Sequence, residues 1–288
     1  MKHHSSPALR PPFPLFHELD RPGIHDERIR PALCALQVAC HVLKVSVECR
    51  FTASCLLHRF VAVQVVSIDQ DEWQWITMAC LFLAGKVEEE PRRLRDAINC
   101  ASMITIPAQV LNEQETIGDS TQTHEELKTI NENLGSFKKV RVQWNSSPPE
   151  LDDAYWDAKR RIVEKEQFVL RWLAFDVSVS HPHRGVAAIV NHLVDCSPQW
   201  FGIVTPEQLV HQAWTHCNDA LFSSQALSYP VMTLACAAVS ITLRDRNIEE
   251  SMEEQDWWKH FSVPKGELET LKTRLLAIRD KLVEHRNQ

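Results

Sequence analysis

Trp73-Gln-Trp-Ile-Thr-Met-Ala-Cys-Leu-Phe-Leu-Ala-Gly-Lys86 decides the fold. The segment is apolar nearly all round, so a helix built from it cannot lie on a surface and must be surrounded by other helices. Asp69 and Asp71 stand just before it and can cap its start. Pro91 breaks the chain after it, and Arg92 to Ser102 then makes a short further helix. Working back, about Thr52 to Val66 forms the preceding helix. The first helix runs from about Ile29 to Val45, where Ala35, Val38, Ala39, Val42 and Val45 recur at helical spacing.

Beyond Ile106 the character changes. Up to Pro149 the chain is rich in Asn, Gln, Thr, Ser and Glu with no sustained period, which reads as a poorly ordered insertion with a weak helix near His124 to Leu134. A fifth helix follows Asp152 and Asp153 and ends near Leu173, with Tyr155, Ala158, Ile162, Val169 and Leu173 as its apolar stripe. Ala174 to His183 alternates like a strand but has no partner strand, so it is expected to be an extended linker. The pattern then repeats. One helix spans about His183 to Val194; a second opens at Thr205-Pro206-Glu207-Gln208, a capping box with proline at the first helical position. An apolar helix covers Pro230 to Ile241, a short segment bears Trp257, Trp258 and Phe261, and a last helix carries Leu268, Leu271, Leu275, Ile278 and Leu282. Trp73–Gly85 and Tyr229–Ile241 occupy corresponding places, which points to an internal duplication of about five helices each. The expected organisation is all-α: a flexible arm over 1–27, a first five-helix unit over 28–173 holding the polar insertion 106–149, and a linker with a second unit over 174–286.

Composition agrees and excludes several classes. Glycine is scarce, 7 of 288 residues, which disfavours a turn-rich sheet fold. The formal net charge of -7 argues against direct nucleic-acid binding. Short basic clusters (Arg92, Arg93 and Arg95; Lys159, Arg160 and Arg161) lie near acidic runs such as Glu88, Glu89 and Glu90. These read as solvated helix faces or as a docking face. The nine cysteines have no zinc-like or disulfide-like spacing and read as reduced core thiols. No stretch has the length of a membrane span, and residues 1–14 lack a signal-peptide core. An intracellular soluble protein is expected.

Enzyme signatures are missing: no Gly-rich phosphate loop, no GxSxG, no HExxH and no kinase motif set. No catalytic residue, metal site or cofactor is therefore nominated. His181-Pro182-His183 is the one tight histidine cluster, and the intervening proline places its rings poorly for chelation. Two charges are out of place physically. Lys86 continues the buried face set by Ala79, Phe82 and Leu83, and Glu166 interrupts the stripe between Ile162 and Val169. A lone charge beside a core is costly unless paired, so the two are expected to meet at the end of a shared groove. An ordinary interhelical salt bridge or snorkelling to solvent answers the same cost.

Leu81-Phe-Leu-Ala-Gly-Lys-Val-Glu-Glu-Glu-Pro-Arg-Arg-Leu-Arg-Asp-Ala-Ile98 resembles the signature of a cyclin box of the transcriptional type. Ala53-Ser-Cys-Leu-Leu-His-Arg-Phe60 is similar to the helix before it. Val169-Leu-Arg-Trp-Leu-Ala-Phe-Asp-Val177 with His181-Pro-His183 resembles the end of a first box and its linker. Gln208-Leu-Val-His-Gln-Ala-Trp-Thr-His-Cys-Asn-Asp-Ala-Leu221 and Trp257-Trp-Lys-His-Phe261 resemble the second box of cyclin K-type and Q-type proteins. The resemblance implies two tandem cyclin boxes and a regulatory subunit that activates a cyclin-dependent serine/threonine kinase as a heterodimer. It implies a kinase acting in RNA polymerase II transcription, a nuclear location without a clear import signal, and no membrane or direct nucleic-acid partner; a third subunit is left open. Carried over by position, Lys86 and Glu166 hydrogen-bond the kinase backbone beside its regulatory helix, Phe175 and Val177 pack on that helix, and Glu89 joins the contact. The alternative is a cyclin-fold adaptor like the general transcription factor IIB group, acting without a kinase. The first helix reads Pro31-Ala-Leu-Cys-Ala-Leu-Gln-Val and lacks the Met-Arg-Ala-Ile-Leu docking patch of cell-cycle cyclins, and no destruction box is evident.

Overall fold

A computed structural model describes residues 24–63, 70–105, 141–142, 150–196, 205–248 and 256–287. Ten α-helices occur among them. Five belong to the first half: α1 (Ile24–Val42), α2 (Val47–Val63), α3 (Gln70–Val87), α4 (Leu94–Met103) and α5 (Asp153–Trp172). The second half has α6 (Pro182–Cys196), α7 (Pro206–Asp219), the short α8 (Ser224–Leu227), α9 (Val231–Asp245) and α10 (Lys265–Asn287). Short 3-10 turns cover Ala220–Phe222 and Trp257–Phe261. The fold is all-α.

The all-apolar stretch does become a central helix. α3 packs against α1, α2, α4 and α5, and α9 holds the same place among α6, α7, α8 and α10. Local signals set many of the ends. Asp152 caps α5 by accepting from the Tyr155 N–H at 2.9 Å, and Thr205 and Gln208 close a reciprocal capping box on α7. Other ends differ from expectation. α1 begins at Ile24 rather than Ile29 and carries Pro31 inside it, so the chain from 24 to 27 is helix and not arm. α3 begins at Gln70, which puts Asp71 inside the helix rather than at its cap. The expected weak helix near 124–134 and the rest of 106–140 lie outside the described residues. At the edges of that segment, Ile104–Thr105 pairs antiparallel with Arg141–Val142 and draws its two ends together.

Two buried clusters fill the halves, and α2 belongs to both. Its Ala53, Leu56, Leu57 and Phe60 sit in the first cluster; Phe51 and Cys55 sit in the second, among residues of α6 to α10. Burying a side chain such as Phe51 stabilises by about 1.5–3 kcal/mol, and here that gain exists only when both halves are in place. A buried hydrogen bond joins them as well, between His58 Nε2 of α2 and the Leu221 carbonyl at 2.8 Å. The linker from Asp176 to His181 runs along the seam without forming a strand, as expected. Its odd positions face inward: Val177 packs against the first cluster and Val179 against the second.

Candidate partner-binding site

α3 and α5 pack side by side, and the two displaced charges meet between them. Lys86 Nζ lies 2.5 Å from Glu166 Oε1 and 4.4 Å from the centre of the Phe82 ring. The pair is lopsided: the Lys86 side chain is 46% exposed and that of Glu166 only 11%. A carboxylate so covered needs its donor, while the ammonium keeps hydrogens free for an incoming acceptor. The turn beyond α3 folds tightly back on the helix, with the Glu90 N–H on the Gly85 carbonyl at 2.8 Å. A Cβ at position 85 would sit 3.0 Å from the Glu90 carbonyl oxygen, which is why glycine stands beside Lys86.

One helical turn beyond Glu166, the Leu170 carbonyl accepts from the Phe175 N–H at 2.9 Å and closes the end of α5. Ala174 and Phe175 both adopt left-handed backbone, with φ of 49° and 60°. Neither is glycine, so each costs on the order of 1–2 kcal/mol. The costly turn holds Phe175 out to solvent, 69% exposed, the most exposed large apolar residue among those described. Val177 is half-buried against the first cluster. Lys86, Glu166, Phe175 and Val177 therefore sit on or immediately after the packed ends of α3 and α5.

The acidic run divides into three roles that its composition did not announce. Glu90 accepts from the Ser46 N–H at 2.9 Å, at the start of α2, and pairs with Arg92. Burial works to raise its pKa, but the Ser46 bonds and the Arg92 charge hold the carboxyl below its usual value. Glu88 accepts from the Thr52 hydroxyl at 2.5 Å and faces His181. Glu89 is exposed in a left-handed conformation, φ 56°, between them. Ser46, Thr52 and His181 were not singled out as site residues by the sequence. The signals for His181 were the tight His181-Pro182-His183 cluster and the alternation of the linker that ends there.

His181 and His183 have ring centres 6.4 Å apart and flank Phe51 from two sides. His183 is buried between Phe51 and Trp214, and burial pushes its pKa down to about 4. It is a core histidine of the seam. No group of three or more His, Cys, Asp or Glu suited to a metal occurs among the described residues. All nine cysteines are free; eight are buried and Cys196 is exposed. Burial pushes the thiols of Cys34, Cys49, Cys55, Cys80, Cys100 and Cys236 up to about 12. No helix among the described residues is long and apolar enough to cross a membrane.

Known proteins resemble this chain in sequence. Residues 10–134 match the family model described as the cyclin N-terminal domain. The chain is 27% identical to Homo sapiens Cyclin-L1 over 227 residues, which covers 78% of this chain and 35% of that protein. It is 26% identical to Xenopus laevis Cyclin-L1 over 209 residues, covering 73% and 34%. With Arabidopsis thaliana Cyclin-T1-5 it shares 25% identity over 237 residues, covering 82% and 33%. The chain thus spans about a third of the length of the curated relatives it matches. A solved chain from a Chaetomium thermophilum CAK complex is more distant, at 15% identity and a TM-score of 0.47 over 94% of this chain and 69% of that one. Residues 10–134 are thus similar to a cyclin N-terminal domain, and most of the chain is similar to cyclins of the L and T types.

Proposed function

We propose that this chain is the activating subunit of a cyclin-dependent serine/threonine kinase, one that acts in RNA polymerase II transcription and works in the nucleus. It supplies no chemistry of its own. The observation that carries the reading is the lopsided Lys86–Glu166 pair between α3 and α5, with an exposed Phe175 held on the strained turn that ends α5. Charges and apolar surface set out in this way suit a partner that offers backbone acceptors beside an apolar helix face. Glu89, exposed next to the pair, is assigned to the same contact.

Activation then follows as a population shift. A kinase whose regulatory helix is turned out lacks its Lys–Glu ion pair, and a subunit that binds the turned-in state more tightly moves the equilibrium. Going from about 1:99 to 99:1 takes ~5.5 kcal/mol of differential affinity. One buried aromatic anchor and one desolvated charge pair have about that capacity. The test is a gentle affinity purification of the tagged chain from its source cell, followed by reconstitution. A 1:1 complex with a serine/threonine kinase, active on the RNA polymerase II tail and nearly silent without the chain, is expected. Recovery of no kinase overturns the reading.

A further inference from the structure

The proposed face leaves a second polar cluster unexplained. Thr52 Oγ1 of α2 donates to Glu88 Oε1 at 2.5 Å, and the same oxygen lies 3.2 Å from His181 Nε2, itself 3.5 Å from Thr52 Oγ1. Three atoms from α2, the turn after α3 and the linker close a small triangle. Thr52 is fully buried, and the Glu88 and His181 side chains are 19% and 16% exposed. A carboxylate only accepts, so Nε2 of His181 carries the proton between them. The ring is also packed edge-on against Phe51, at 5.7 Å.

The triangle ends the run of chain that begins at Phe175. The turn is fixed on its near side by the Leu170 carbonyl. On its far side Arg59 donates to the Asp176 carbonyl at 3.4 Å, Val177 and Val179 enter the two clusters, and His181 reaches Glu88. Two successive left-handed residues that are not glycine persist only where flanking structure over-determines them. Glu88 also stands two residues beyond Lys86 on the same tight turn, so the charged pair and the anchor of the linker share one base.

We infer that Glu88 is a positioning residue: anchored on Thr52, it holds His181 and with it the linker, so that Phe175 and Val177 meet the partner in one preset arrangement. The inference rests on the kinase-binding reading above. It differs from a direct contact by Glu88, because the role requires an acceptor oxygen and not a charge. Fixing the arrangement beforehand raises affinity by removing an ordering cost at the moment of binding.

The test uses the full chain and the kinase recovered with it, at a temperature where every variant is folded. Glu88→Ala, Glu88→Gln, His181→Ala, Phe175→Ala and the Glu88→Ala/Phe175→Ala double are compared by kinase Kd. Backbone hydrogen exchange across residues 174–181 is followed in the chain alone. Glu88→Ala and His181→Ala are expected to speed that exchange and raise Kd about tenfold. Glu88→Gln should stay near wild type, since its amide oxygen still accepts from Thr52 and His181. Glu88→Ala should add little once Phe175 is gone, because both act through one element. Equal losses in Glu88→Gln and Glu88→Ala, unchanged exchange, or full additivity with Phe175→Ala overturns the inference. If Phe175→Ala leaves affinity intact, the kinase-face reading fails instead, and the exchange result alone decides whether Glu88 holds the linker.

Discussion

Replacing Phe175 by glycine should move stability and affinity in opposite directions. In the free chain Phe175 sits at φ 60° with 69% of its surface in water. Glycine removes the left-handed penalty of ~1–2 kcal/mol and forfeits little packing, because so little is packed. Against that, the unfolded chain gains freedom worth ~0.5–1 kcal/mol. The net is a free chain that is stabler by about 0.5–1 kcal/mol. In the complex the sign reverses. An aromatic side chain offers ~150–250 Å², and at 69% exposure about 140 Å² remains to be covered by a partner. At ~25 cal/mol per Å² that is roughly 3.5 kcal/mol, or on the order of a few hundredfold in Kd. Thermal unfolding of the free chain and calorimetric titration with the kinase measure the two limbs. A Phe175→Gly chain that melts clearly lower than wild type would refute the strain argument. One that binds with wild-type affinity would refute the role of the side chain.

Lys86→Ala and Glu166→Ala should each weaken kinase binding by ~2–5 kcal/mol, with the double mutant costing clearly less than the sum; folded singles of wild-type affinity would remove the pair from the interface. His183 offers a pH test. Its folded pKa of about 4 lies below the 6.5 of the free side chain, so the neutral form is the folded one. Its stability is whole above pH 6.5, falls as pH drops towards 4 and is flat below, a loss of a few kcal/mol in all; His183→Leu should flatten that slope, and an unchanged acid limb would sink the assignment. Alkylation of the folded chain at neutral pH should label Cys196 and spare the eight buried thiols. Rapid modification at Cys80 or Cys100, seen by peptide mass, would contradict the packing of the first cluster.

Much of the fold was legible because it rests on patterns that are local. The apolar wrap of α3 and α9 needs no partner to be recognised, nor do the capping residues of α5 and α7. Lys86 and Glu166 were visible as errors in otherwise apolar stripes, and the structure places them 2.5 Å apart. What escaped depends on pairings between distant positions. Glu88 and Glu90 look like a solvated run until Thr52 and Ser46 are known to face them, 36 and 44 residues earlier. The left-handed turn at Ala174 and Phe175 left no trace either, because those φ values normally call for glycine or asparagine. The first helix was expected from Ile29, with Pro31 near its start, yet α1 begins seven residues before that proline. The strand pair at Ile104 and Val142 was hidden by its length of two residues.

The double membership of α2 has a consequence for how the chain is made. His58 and Phe51 leave the ribosome early, but the Leu221 carbonyl that His58 binds is encoded 163 residues later. At ~5–20 residues per second that wait lasts roughly 8 to 33 seconds. Through that interval the nascent first half presents a bare aromatic on α2 with nothing to cover it. Newly made chains should therefore engage a holding chaperone in this window and be released when α7 emerges. A first half synthesised alone should stay chaperone-bound or aggregate.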